Sequence, residues 1–119
     1  NIAKRTTVLA EARPAPGADQ SLRRMAREVG GMLKDTLDAF VRRDAGLARD
    51  VIARDEGVDA MYNALFRELL TFTMEDPRTI TPTMHLHFVA KNLERMGDLV
   101  TNMAEQVVYL VTGQRPAED

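Results

Sequence analysis

The stretch Ala90-Lys91-Asn92-Leu93-Glu94-Arg95-Met96-Gly97-Asp98-Leu99-Val100-Thr101-Asn102-Met103-Ala104-Glu105 decides the fold. Its apolar residues return at three- and four-residue steps, and the series extends both ways as Val89, Leu93, Met96, Val100, Met103, Val107, Leu110 and Val111. That period belongs to an amphipathic α-helix with those side chains on its core face. Thr81-Pro82 opens the helix with a capping hydroxyl and a proline at the first helical position, and Gly113 with Pro116 stops it. The helix so bounded has roughly 30 residues and measures about 45 Å.

Upstream, Asp76-Pro77 ends a second helix, because proline drives the residue before it out of the α region. Its apolar positions are Leu47, Val51, Val58, Met61, Leu65, Leu69 and Phe72, and Asp44 is placed to cap its start. Before the corner Arg43-Asp44-Ala45-Gly46 runs a first helix, capped by Asp19, Gln20 or Ser21. Its core stripe is Leu22, Met25, Val29, Met32, Leu33, Thr36, Leu37 and Phe40. Gly30 and Gly31 cost that helix about 1 kcal/mol each relative to alanine, and close approach of a neighbouring helix is the expected reason for them. Strand alternation and hairpin signals are missing. Three long helices joined by short connections predict an all-α, antiparallel up-down-up bundle.

Arg13-Pro14-Ala15-Pro16-Gly17 breaks the pattern and reads as part of a linker over 13–20. Residues 1–12 then read as the tail of a preceding helix, 21–113 as the bundle and 114–119 as a C-terminal tail. Asn1-Ile2-Ala3-Lys4 echoes Asn102-Met103-Ala104-Glu105, and the chain opens on Asn1 rather than Met. Together these give the expectation that residues 1–12 close an earlier repeat of the same bundle.

At 119 residues the chain has the size of one domain. Its 45% apolar and 29% charged residues are ordinary for a globular protein. The absence of cysteine removes disulfides, thiolate metal sites and a cysteine nucleophile. Sixteen basic against eighteen acidic residues give a formal charge of -2, without the basic footprint of a nucleic-acid binder. Apolar runs such as 107–111 fall far short of the ~20 residues a membrane span needs. No phosphate-binding loop, nucleophile elbow, H-E-x-x-H or C-x-x-C occurs, so the common hydrolase and nucleotide chemistries have no residues to use. The chain is read as a non-enzyme.

The residues with chemistry are carboxylates. Glu94, Asp98, Asn102 and Glu105 fall within about 80° of one another on the third helix, on the face opposite its expected core stripe. Asp55 and Asp59 form a matching pair on the second helix, at the flank of its apolar face. Acids one turn apart repel, and a cation between them reverses the sign. All-oxygen donors favour hard or borderline ions over structural zinc. The same spacing also suits a plain solvated face. His85 and His87 lie about 200° apart on a helix and cannot share a metal, so surface or helix-start positions are expected. The residue three after Glu94 is Gly97, where a di-iron bundle would carry histidine. Asp35, Asp38 and the pairs Arg23-Arg24 and Arg42-Arg43 read as solvated.

The quoted stretch, with Leu-Glu-Arg-x-Gly-Asp followed by Asn-x-Ala-Glu, resembles the third-helix signature of the PhoU family. Val108-Tyr109-Leu110-Val111-Thr112-Gly113 and Asp55-Glu56-Gly57-Val58-Asp59-Ala60-Met61-Tyr62 are similar to further motifs of that family, over about residues 21–113. The resemblance implies one of two tandem three-helix bundles, the second, each carrying acidic motifs that bind metal. It carries over Asp55, Asp59, Glu94, Asp98, Asn102 and Glu105 as metal ligands, with iron, manganese, magnesium or zinc as the ion, and Arg95 as a structural ion-pair partner. It further implies a cytoplasmic regulator of phosphate uptake and phosphate-starvation signalling. Its partners would be the phosphate ABC transporter's ATPase and a sensor histidine kinase, with a homodimer open and the membrane reached only through partners. A carboxylate-bridged metalloenzyme and a plain helical interaction module are the competing readings.

Overall fold

The computed structural model describes residues 17–114; the expected helical tail over 1–12, half of the linker and all but one residue of the C-terminal tail lie outside them. Helix α1 spans Ala18–Arg42, α2 spans Ala45–Glu75, a single 3-10 turn spans Pro77–Thr79, and α3 spans Ile80–Thr112. The three helices pack antiparallel into a flat, elongated body of 53 × 30 × 18 Å, as the sequence predicts. None is long and apolar enough to cross a membrane.

The corners follow local chemistry. Asp44 Oδ1 accepts a hydrogen bond from the Leu47 N–H at 3.0 Å and so caps α2, as its position predicts. Arg43 closes α1 in the left-handed conformation at φ 57°, and Gly113 closes α3 at φ 75°. Two boundaries differ from expectation. Helix α1 begins at Ala18, inside the stretch read as linker, behind a left-handed Gly17. Helix α3 begins at Ile80 rather than Thr81, and Pro82 occupies its third position; the cap duty passes to Asp76, whose carboxylate takes the Arg78 N–H ahead of the 3-10 turn.

The core is Met25, Val29 and Met32 from α1, Val51, Val58, Leu65 and Leu69 from α2, and Leu86, Ala90, Val100, Ala104, Val107 and Val108 from α3. Each fully buried valine, leucine or methionine of this set contributes roughly 1.5–3 kcal/mol. On α1 the buried line continues from Met32 through Thr36 to Ala39, and it leaves Leu33, Leu37 and Phe40 exposed, contrary to the sequence reading.

The larger correction concerns α3. Its buried face centres on Ala90, Gly97, Thr101, Ala104 and Val108, while Met96, Met103 and Leu110, expected in the core, are 50, 41 and 55% exposed. The small residues Ala90, Gly97 and Ala104 recur every seven positions, the step of a left-handed helical packing seam. They allow close approach: a Cβ added at Gly97 would meet Val58 Cγ1 at 3.5 Å and Val29 Cγ2 at 3.7 Å. Bulk therefore did not decide which face went inward. The buried face is rotated by roughly 80° from the stripe of large side chains, at 100° per residue.

Candidate metal centre

That rotation sets the acidic residues. With the core centred near Gly97 and Ala104, Glu94, Asp98 and Glu105 fall about 60–100° from its middle. They flank the α2–α3 seam instead of standing opposite the core. Glu94 is half-buried, with 15% of its side chain exposed. Across the seam, Asp55 and Asp59 are half-buried one turn apart on α2.

The helices bring Asp55, Asp59 and Asp98 together: one carboxylate oxygen from each lies within 4.8 Å of the other two. Glu94 borders the same cluster and adds its charge to both Asp55 and Asp59. The structure extends the stripe away from this point for the remaining two candidates. Asn102 is exposed one turn, about 6 Å, beyond Asp98, and half-buried Glu105 lies about 10 Å along the axis.

The cluster is electrostatically frustrated. Burial raises the Asp55 carboxyl above the usual carboxylate range, and the charges of Asp98 and Glu94 push the same way, against the neighbouring Thr101 hydroxyl. Burial likewise raises Asp59, followed by the charges of Asp55, Glu94 and Asp98. Thr101 gives its proton to the Gly97 carbonyl at 2.9 Å, so Asp55 Oδ1 is buried with no hydrogen-bond partner. A buried acceptor left in that state costs about 1–3 kcal/mol. A cation held by these oxygens would satisfy the orphan and cancel the repulsion.

One cation already serves the cluster's edge. Lys91 Nζ contacts Glu94 Oε1 at 2.8 Å, and that pair raises the lysine above its ordinary range. Arg95, expected as the ion-pair partner, is exposed and lines an apolar groove outside the cluster. Sequence reasoning missed Lys91, although its place three residues before Glu94 is a standard helical pairing distance. It also missed Thr101, which shares the seam face three residues after Asp98.

Two other sequence readings gain detail or change. His87 lies near the start of α3 as expected, but it is half-buried: its Nε2 lies 2.9 Å from the Tyr62 hydroxyl, and its ring centroid lies 5.2 Å from that of Phe66. Asp35 is not solvated. Arg54 of α2 reaches across to α1 and donates from Nη1 to Asp35 at 2.7 Å and from Nε to Glu28 at 2.9 Å. Gly31 lies under this guanidinium, where a Cβ would come within 3.1 Å of Arg54 Nη2. The glycine accommodates a side chain, not a helix backbone, and Gly30 faces open space.

Known proteins share this fold. The family model described as the PhoU domain matches residues 22–107. The phosphate-specific transport system accessory protein PhoU homolog of Caulobacter vibrioides is 52% identical, across 100% of this chain and 54% of that protein. The homolog of Rhizobium meliloti is 45% identical, across 98% of this chain and 49% of that protein. The crystal structure of PhoU from Pseudomonas aeruginosa superposes with a TM-score of 0.86 at 40% identity, covering 95% of this chain and 54% of that one. The chain thus spans about half the length of the relatives it matches. Signature residues, three-helix architecture and near-complete coverage by these relatives agree, and the chain belongs to the PhoU family.

Proposed function

We propose that this chain forms one bundle of a regulator of phosphate uptake, acting as an adaptor that binds a metal ion at the α2–α3 seam. The phosphate role rests on the names of the relatives, which are accessory proteins of the phosphate-specific transport system. Within that reading its partners are the transporter's ATPase and a sensor histidine kinase in the cytoplasm. It works by contact and represses the phosphate-starvation response.

The observation that supports the metal reading is the buried, unpartnered Asp55 Oδ1 inside the Asp55–Asp59–Asp98 cluster, which Glu94 borders. Asp55, Asp59, Asp98 and Glu94 would hold the ion, with Asn102 and Glu105 extending the stripe. Carboxylate oxygens suit manganese, magnesium or iron. The bound ion would neutralise the seam and fix α2 against α3, a structural or sensory role and not a catalytic one.

Elemental analysis of the purified chain beside its Glu94→Ala, Asp98→Ala double variant, matched for helicity, tests this. Stoichiometric metal in the first and its loss in the second are expected. Unchanged metal content together with intact repression of phosphate-starvation genes would reduce the cluster to a solvated face.

A further inference from the structure

A second feature of the α2–α3 face stands apart from the acids. A groove of about 480 Å³ runs beside the Tyr62–His87 pair, lined by Phe66, Leu70, Ile80 and Met84, with Lys91 and Arg95 at one end. From Ile80 to Arg95 its lining spans sixteen residues of α3, about 22 Å. Among the described residues no acid lines it, although the chain as a whole carries a charge of -2. At the other end the hydroxyls of Thr73 and Thr83 are buried without hydrogen-bond partners, and Thr83 is only 7% exposed. Met84, by contrast, is 64% exposed.

We infer that this groove receives an amphipathic helix of a partner protein, whose apolar stripe ends in a carboxylate facing Lys91 and Arg95 and begins with a polar side chain facing Thr73 and Thr83. The walls are two helix flanks whose backbone groups are used within their own helices, so an extended strand would find no edge to pair with. An occupant must satisfy its own backbone, as a helix does. About sixteen helical residues match the groove's length. Apolar anchors at three- and four-residue steps face Phe66, Leu70, Ile80 and Met84, and an acid one turn further reaches Arg95. The inference rests on the adaptor reading for its biological role only; the groove lies outside the acidic cluster, and helix binding persists in chelator whether or not metal is held there.

The test is a titration of the chain, in chelator, with a labelled helical peptide of about 16 residues bearing glutamine, leucines at these steps and a terminal-turn glutamate, beside a version with lysine for glutamate. The glutamate peptide is expected to bind and to shift the methyl signals of Leu70, Ile80 and Met84. Arg95→Glu, a surface change that leaves the core intact, should weaken it by about tenfold and strengthen the lysine peptide, as reversal of a charge pair requires. Thr83→Val should remove the preference for glutamine over leucine at the first position. Equal binding of the two charge forms, or binding without methyl shifts in the groove, overturns the inference. So does a dimer in sedimentation that Met84→Glu dissociates, which would make a second copy the occupant.

Discussion

Lys91 Nζ lies 2.8 Å from Glu94 Oε1, so the border of the Asp55–Asp59–Asp98 cluster carries a cation supplied by the chain itself. The same lysine sits over the Tyr62 ring, 5.1 Å from its centroid, and borders the groove. It joins the two features of the α2–α3 face. An ion at the seam would compete with it for Glu94.

Removing that competitor should tighten metal binding. Lys91→Met keeps the stem that packs on Tyr62 and deletes the charge. Manganese affinity measured by calorimetry is expected to rise about threefold to tenfold, the modest scale of an exposed pair. Unchanged or weaker affinity would show that Glu94 is not a ligand.

Stability should depend on pH through Asp55 and Asp59. Both hold their protons more tightly folded than unfolded, so their contribution is fully present below the ordinary value of 3.8. It is lost as pH rises through the raised folded values. Metal reverses the trend, because its ligands must be deprotonated. Urea midpoints of the metal-free chain should therefore fall with rising pH across this range, while the gain on adding manganese grows. Asp55→Asn should flatten the first trend and abolish the second.

Arg54 ties α1 to α2 through Glu28 and Asp35, and each of these side chains is less than one third exposed. Arg54→Met leaves two half-buried acids without their shared cation and should cost about 1–2 kcal/mol in chemical denaturation. Arg54→Lys should recover little, since a single ammonium cannot span both carboxylates as the guanidinium fork does.

Gly97 gives a graded test of the close approach. Its alanine variant gains about 1 kcal/mol of helix propensity and places its methyl at ordinary contact distance from Val58 and Val29. It should be neutral or mildly stabilising. The leucine variant must push the helices apart, costing about 1–3 kcal/mol as overpacking does. It should also lower metal affinity, because Asp55 and Asp98 then separate. Thermal unfolding and the calorimetric titration read both effects.

The sequence by itself determined the helices, their order and their antiparallel packing, because periodic apolar residues, Asp44, Asp76-Pro77 and Gly113 act through local rules. The motif residues also identified the family and named the acids, since their types stand at fixed offsets. Only the tertiary structure decided which face of α3 turned inward. Ala90, Gly97 and Ala104 weigh little in an apolar count, yet their lack of bulk lets three backbones close together. That one rotation exposed Met96 and Met103 and moved the acids from the far side of the helix to the seam. It left Asp55 Oδ1 without a partner. The pairing of Lys91 with Glu94, the reach of Arg54 over Gly31 and the groove beside His87 depend equally on how neighbouring helices meet. Long-range geometry of this kind is not contained in the period of any single helix.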